Sequence, residues 1–69
     1  MIELTVNGKL RTLGGPLTLA EYLAQLGINP QTVAVEHNGE IVRREQYSAR
    51  LLAPGDVVEI VRMVGGGSL

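Results

Sequence analysis

The chain contains no cysteine, no tryptophan and no phenylalanine, and its aromatic residues are two tyrosines, Tyr22 and Tyr47. Without cysteine there are no disulfides, no thiolate metal ligands and no cysteine nucleophile, so any sulfur chemistry depends on another atom. The shortage of rings leaves Leu, Ile and Val to fill the interior, in a chain whose hydrophobic fraction is 45%. At 69 residues it makes one domain with a small core and modest net stability. Charge of one sign is also missing: six Lys and Arg face seven Asp and Glu, for a net charge of −1. The bases are scattered apart from Arg43-Arg44, which argues against nucleic acid as a partner, since phosphate binding needs a concentrated basic face. No apolar run approaches a membrane span, and Glu3 follows Ile2 at once where a signal peptide would continue apolar, so no membrane and a cytoplasmic location are expected. The lone histidine, His37, stands beside a turn with no His or Cys nearby; it is read as a solvated turn residue, and no metal site is expected. Gly14-Gly15 lacks the Gly-Lys-Ser/Thr ending of a phosphate loop and is read as a turn.

What is present is a clear succession of short elements. Residues 1–6 alternate Ile2, Leu4 and Val6 against Glu3 and Thr5, the period of a half-buried strand. Asn7-Gly8 supplies the positive φ angles of a type I′ hairpin turn, and 9–13 is the returning strand. Thr18 followed by Glu21 is a capping box, and Leu17 with Tyr22 fits a hydrophobic staple. A helix is expected over 19–26 with Leu19, Leu23 and Leu26 on its apolar face, closed by Gly27 and Ile28 in a Schellman stop. Residues 33–36 form a third strand, Asn38-Gly39 a second type I′ turn, and Ile41-Val42 a short fourth strand. The stretch 43–50 is polar and irregular, with a helical turn carrying Tyr47. Pro54-Gly55-Asp56 turns the chain into a last strand over 57–64, apolar on both faces and hence central, covered on one side by the helix. Arg62 and Glu59 interrupt those faces and read equally as a partner-facing rim or an ordinary exposed pair. Strand, strand, helix, strand, short strand, strand is the order of an α+β β-grasp (ubiquitin-like) fold, a mixed sheet of four to five strands with one main helix packed across it. The expected division is a β-grasp domain over 1–64 and a flexible glycine tail over 65–69.

That tail, Gly65-Gly66-Gly67-Ser68-Leu69, is the least ordinary part of the chain. Glycine has no Cβ, so the segment is narrow enough to thread a deep slot in another protein and to present a carboxylate there. The same residues fit a frayed end or an appended linker. The surface next to it, around Val57, Ile60, Arg62, Met63 and Val64, is the expected partner-docking surface.

The segment from Val33 to Tyr47, which carries Arg44-Glu45-Gln46-Tyr47, together with Pro54-Gly55-Asp56 before an apolar strand and the final Val64-Gly65-Gly66-Gly67, resembles the ThiS family of sulfur carriers for thiamine biosynthesis. The resemblance implies a protein that is acted upon, not an enzyme, with no bound cofactor. Gly67 would be adenylated by a ThiF-type activating enzyme using ATP and converted to a thiocarboxylate. The sulfur, taken from a donor such as a cysteine desulfurase, would pass to a ThiG-type thiazole synthase. Members of the family end at the glycine, whereas Ser68-Leu69 follows here. Trimming by a processing protease, an appended remnant and an inactive carrier all remain open. So do two other functions: a carrier for another pathway, similar to the small subunit of molybdopterin synthase, and a non-catalytic β-grasp interaction module similar to TGS domains.

Overall fold

The computed structural model describes residues 1–63. Five strands and one helix follow the expected order: β1 (Ile2–Val6), β2 (Lys9–Leu13), α1 (Leu19–Gln25), β3 (Val33–His37), β4 (Glu40–Val42) and β5 (Val57–Arg62), with 3₁₀ turns at Pro30–Thr32 and Arg44–Gln46. They form one sheet in the order β2-β1-β5-β3-β4. The last strand is thus central, parallel to β1 (Thr5↔Val57, Val6↔Val58) and antiparallel to β3 from Val33↔Arg62 to His37↔Val58.

Both hairpins turn on Asn-Gly, with φ of 52° and 79° at Asn7-Gly8 and 55° and 83° at Asn38-Gly39, the doubly left-handed geometry that continues the twist of the flanking strands. The helix starts where Thr18 Oγ1 accepts from the Glu21 N–H (3.1 Å) and the Glu21 carboxylate accepts from the Thr18 N–H (2.8 Å). Its first two N–H groups, which have no partner within the helix, donate instead to the Arg50 and Tyr47 carbonyls, so the irregular stretch after β4 is tied to the helix start. At the other end the Ile28 N–H reaches the Leu23 carbonyl and the Gly27 N–H that of Ala24, a Schellman motif with Gly27 at φ 71°.

The helix packs across one face of the sheet. Leu19 and Leu23 meet Leu4, Val35, Val58 and Leu52 in a core with no solvent exposure to speak of, and Tyr22 and Tyr47 close its sides. The expected stripe needs one correction: the third buried helix residue is Tyr22, while Leu26 is 47% exposed. At about 100° per residue Leu26 has the same angular position as Leu19 and Leu23. It lies past Gln25, however, the last helical residue, and at this C-cap it borders an open cleft with Val6, Ile28 and Ile60 instead of joining the closed core. β3 runs one residue further than the alternation suggests, through His37. The opposite face of the sheet carries no element among the described residues, and Leu10, Ile41, Val57 and Val61 stand exposed on it.

Candidate functional site: the central strand and its exit

In the sequence Gly65 follows β5 after Met63 and Val64, so β5 is the described element nearest the glycine segment. The residues anticipated as the reactive end and tail, Gly65, Gly66 and Gly67, and Val64 of the docking surface, lie outside the described residues.

Each Asn-Gly turn does more than reverse the chain. The Asn7 side chain donates to the Ile60 carbonyl (3.2 Å) and accepts from the Ile60 N–H (2.7 Å), so its amide stands in for a peptide group where β1 has already ended. Asn38 holds the start of β5 with one side-chain and one main-chain bond: its Oδ1 accepts from the Val57 N–H (2.8 Å) and its backbone N–H donates to the Val57 carbonyl (2.7 Å). Beyond the strand, the Met63 N–H donates to the Thr32 carbonyl at 2.9 Å. β5 is therefore fastened at its beginning, middle and end by groups from both neighbouring hairpins.

His37 departs from its expected role. It is 6% exposed, and its Nε2 lies 2.6 Å from Asp56 Oδ2. The carboxylate also accepts from the Ala53 N–H (2.8 Å) and from Asn38 Nδ2 (3.2 Å). Burial pushes the Asp56 carboxyl up, but the hydrogen bonds from His37, Ala53 and Asn38 outweigh it and hold the group below its ordinary value. The odd-numbered residues of β3 face the helix, which turns the His37 ring inward instead of into solvent. This knot fixes the Pro54-Gly55-Asp56 turn and the first residue of β5; it is structural and has no nucleophile or second histidine beside it. No cluster of His, Asp or Glu able to hold a metal occurs among the described residues. In Tyr47 burial raises the hydroxyl above its ordinary range, opposed in part by the Arg44 charge.

The anticipated docking residues divide between two surfaces. Val57 is on the open face; Ile60 and Arg62 are on the helix side, opposite Val35 and Val33; Met63 follows the strand end and is partly exposed. The open face was not foreseen as a unit. Around exposed Val57 and Val61 it places Glu3, Glu36 and Glu59, with Glu36 directly across from Glu59 in the register. Like charges paired across strands are destabilising, so stability does not explain this pair. Its signal lay in the two-residue period of β5, which puts 57, 59 and 61 together and 60 and 62 on the other side.

The ThiS family model matches residues 4–67. The chain is 42% identical to the sulfur carrier protein ThiS of Bacillus subtilis over 50 residues, covering 72% of this chain and 76% of that one. It is 39% identical to a thiazole synthase of Paramagnetospirillum magneticum over 67 residues, which is 97% of this chain and 21% of that protein, so it spans about a fifth of that relative's length. Among solved structures, the crystal structure of the thiamine biosynthesis protein ThiS from Geobacter metallireducens superposes with a TM-score of 0.84 at 40% identity, over 96% of this chain and 100% of that one. The central strand, the two asparagine clamps and the single helix are thus the frame of a ubiquitin-like β-grasp, and the chain belongs to the ThiS family.

Proposed function

We propose that this chain is a sulfur carrier of thiamine biosynthesis, with Gly67 as its reacting residue. The observation that carries the reading is the family match running through Gly67, on a fold that leads the glycine segment out of a clamped central strand. A carboxylate is a poor electrophile because its oxygens leave badly. A cognate ThiF-type enzyme supplies a better leaving group: a Gly67 carboxylate oxygen attacks the α-phosphorus of ATP and pyrophosphate departs. Sulfur at the hydrosulfide level, delivered by a donor protein, then attacks the acyl carbon and AMP leaves, giving the thiocarboxylate. Glycine keeps the approach to that carbon free of a side chain. The activating enzyme docks on the open face beside Val57 and Val61, and the acceptor is a ThiG-type thiazole synthase; the naming of one relative as a thiazole synthase supports this acceptor over a molybdopterin route. Here the Gly67 carboxyl is bonded to Ser68, so cleavage after Gly67 precedes loading.

The test is intact mass. A chain ending at Gly67, given ATP, cognate activating enzyme and a sulfur donor, exchanges one oxygen for one sulfur, whereas the chain ending at Leu69 does so only after a protease is supplied. Thiocarboxylation at Leu69, or inertness of the Gly67 form with an enzyme active on its own carrier, would refute the assignment.

A further inference from the structure

The charges of this molecule are sorted by what they touch. Of the six basic residues, three are engaged: Arg50 with Glu40 (3.1 Å), Arg43 with Glu45 (3.8 Å) and Arg44 with the Pro30 carbonyl (3.3 Å). The other three, Lys9, Arg11 and Arg62, have no acidic or hydrogen-bonding partner among the described residues. These three line a single cleft of about 530 Å³ on the helix side of the sheet, and no acidic residue lines it. The register places them there: Lys9 and Arg11 lie opposite Val6 and Leu4, and Arg62 opposite Val33, all of which face the core. The two-turn helix stops short of covering this end of the sheet. The cleft between them has an apolar lining that includes Tyr22 and Leu26 from the helix and its cap and Ile60 from β5.

We propose that this cleft is a docking site for an acidic peptide segment of a partner protein, one that inserts an aliphatic side chain against Tyr22, Leu26 and Ile60 while its carboxylates meet Lys9, Arg11 and Arg62. Charge complementarity selects the occupant, since three cations without an acidic partner among the described residues, around an apolar floor, match an apolar side chain flanked by acids and disfavour a basic or purely apolar one. The volume is that of a pocket for a few side chains. Leu26, exposed at the helix C-cap, supplies part of the apolar wall of this cleft. Arg62 is the last residue of β5, so a partner seated in the cleft stands beside the exit of the glycine segment. It does so on the side opposite the acidic open face, and the two surfaces accept partners of opposite charge.

The experiment is an NMR and fluorescence-anisotropy titration of the full chain with a labelled Glu-Glu-Leu-Glu-Glu peptide at low ionic strength, beside versions in which Leu is replaced by Gly or Glu by Lys. Saturable binding is expected for the first, with amide shifts at Lys9, Arg11, Tyr22, Leu26 and Arg62, and weakening on added salt. The double variant R11E/R62E should lose about tenfold or more in affinity, and Leu26→Ser should weaken binding while leaving the fold intact by circular dichroism. The double variant E36K/E59K on the open face should leave it unchanged. Absence of saturable binding, shifts confined to the open face, or unaltered affinity in R11E/R62E would overturn the proposal. Equal binding of the Gly peptide or of inorganic phosphate would overturn it in favour of a plain anion site. The titration uses neither ATP nor an activating enzyme, so its outcome is separate from that of the sulfur-loading test.

Discussion

Replacing Asp56 by alanine removes a carboxylate that accepts three hydrogen bonds, from His37, the Ala53 N–H and Asn38. The His37 loss is the most serious, because the ring is buried and its Nδ1 already has no partner among the described residues, so the variant leaves both ring nitrogens unpaired. Hydrogen bonds to a charged group contribute about 1.5–3 kcal/mol each but are not additive within one network, and about 2–4 kcal/mol in total is the reasonable expectation for Asp56→Ala. A domain of this length has a stability of about 3–10 kcal/mol, so the variant is at risk of unfolding outright. Asp56→Asn keeps the shape and one acceptor and should lose less. The pH dependence separates this mechanism from a generic packing defect. Because the folded Asp56 titrates below its ordinary value of 3.8, its contribution is complete above that value and fades as pH falls through the lower folded one. Urea denaturation across the acid range should show the wild-type stability falling toward that of Asp56→Ala, with the gap between them closing on acidification. A loss under about 0.5 kcal/mol at neutral pH, or two curves that stay parallel in acid, would refute the assigned role.

Truncation of the core tests the helix phase: Leu23→Ala should lose about 2–5 kcal/mol in chemical denaturation, while Leu26→Ala, at an exposed position, should lose under about 1 kcal/mol; comparable losses would restore the Leu19, Leu23, Leu26 stripe. At the first clamp, Asn7→Gly keeps the left-handed turn but deletes both side-chain bonds to Ile60, and should speed hydrogen exchange at the Ile60 amide. Asn7→Ala should be less stable than Asn7→Gly by about 1 kcal/mol, because alanine adds the strain of a positive φ; equal stability would remove the turn-strain argument.

Features written in contiguous residues were legible from the sequence. The Asn-Gly turns, the Thr18 and Glu21 capping box and the Gly27 stop each depend on residues within a few positions of one another, and each formed as its chemistry dictates. Features that join distant segments were not. Asn7 and Ile60 are 53 residues apart, and His37 and Asp56 are 19 apart; nothing local distinguishes a turn asparagine that clamps a third strand from one that only turns. Leu26 failed for a different reason, since periodicity gives a direction around a helix but not the residue at which the helix stops covering the sheet. Parity divides the expected docking residues: Val57 and the pair Ile60 and Arg62 occupy odd and even positions of one strand and stand on opposite faces.

On the proposed role of Gly67, the clamps on β5 acquire a second meaning. Any segment that is ordered on entering a partner's slot loses conformational entropy, and each residue ordered costs about 1–2 kcal/mol. If the strand before it were an edge strand free to fray, more residues would have to be ordered on binding and the affinity would fall accordingly. β5 lies between β1 and β3, with Asn7 and Asn38 bonded to its main chain and Thr32 to Met63 just after it, so residues up to Met63 are already held and add nothing to such a cost. The same central position gives the exit two flanks, one face of the sheet with Glu3, Glu36 and Glu59 and the other with Lys9, Arg11 and Arg62. An edge strand would have met a partner mainly through its own hydrogen-bonding rim, which reads no charge; a central one leaves recognition to side chains on two faces, and those faces carry opposite signs.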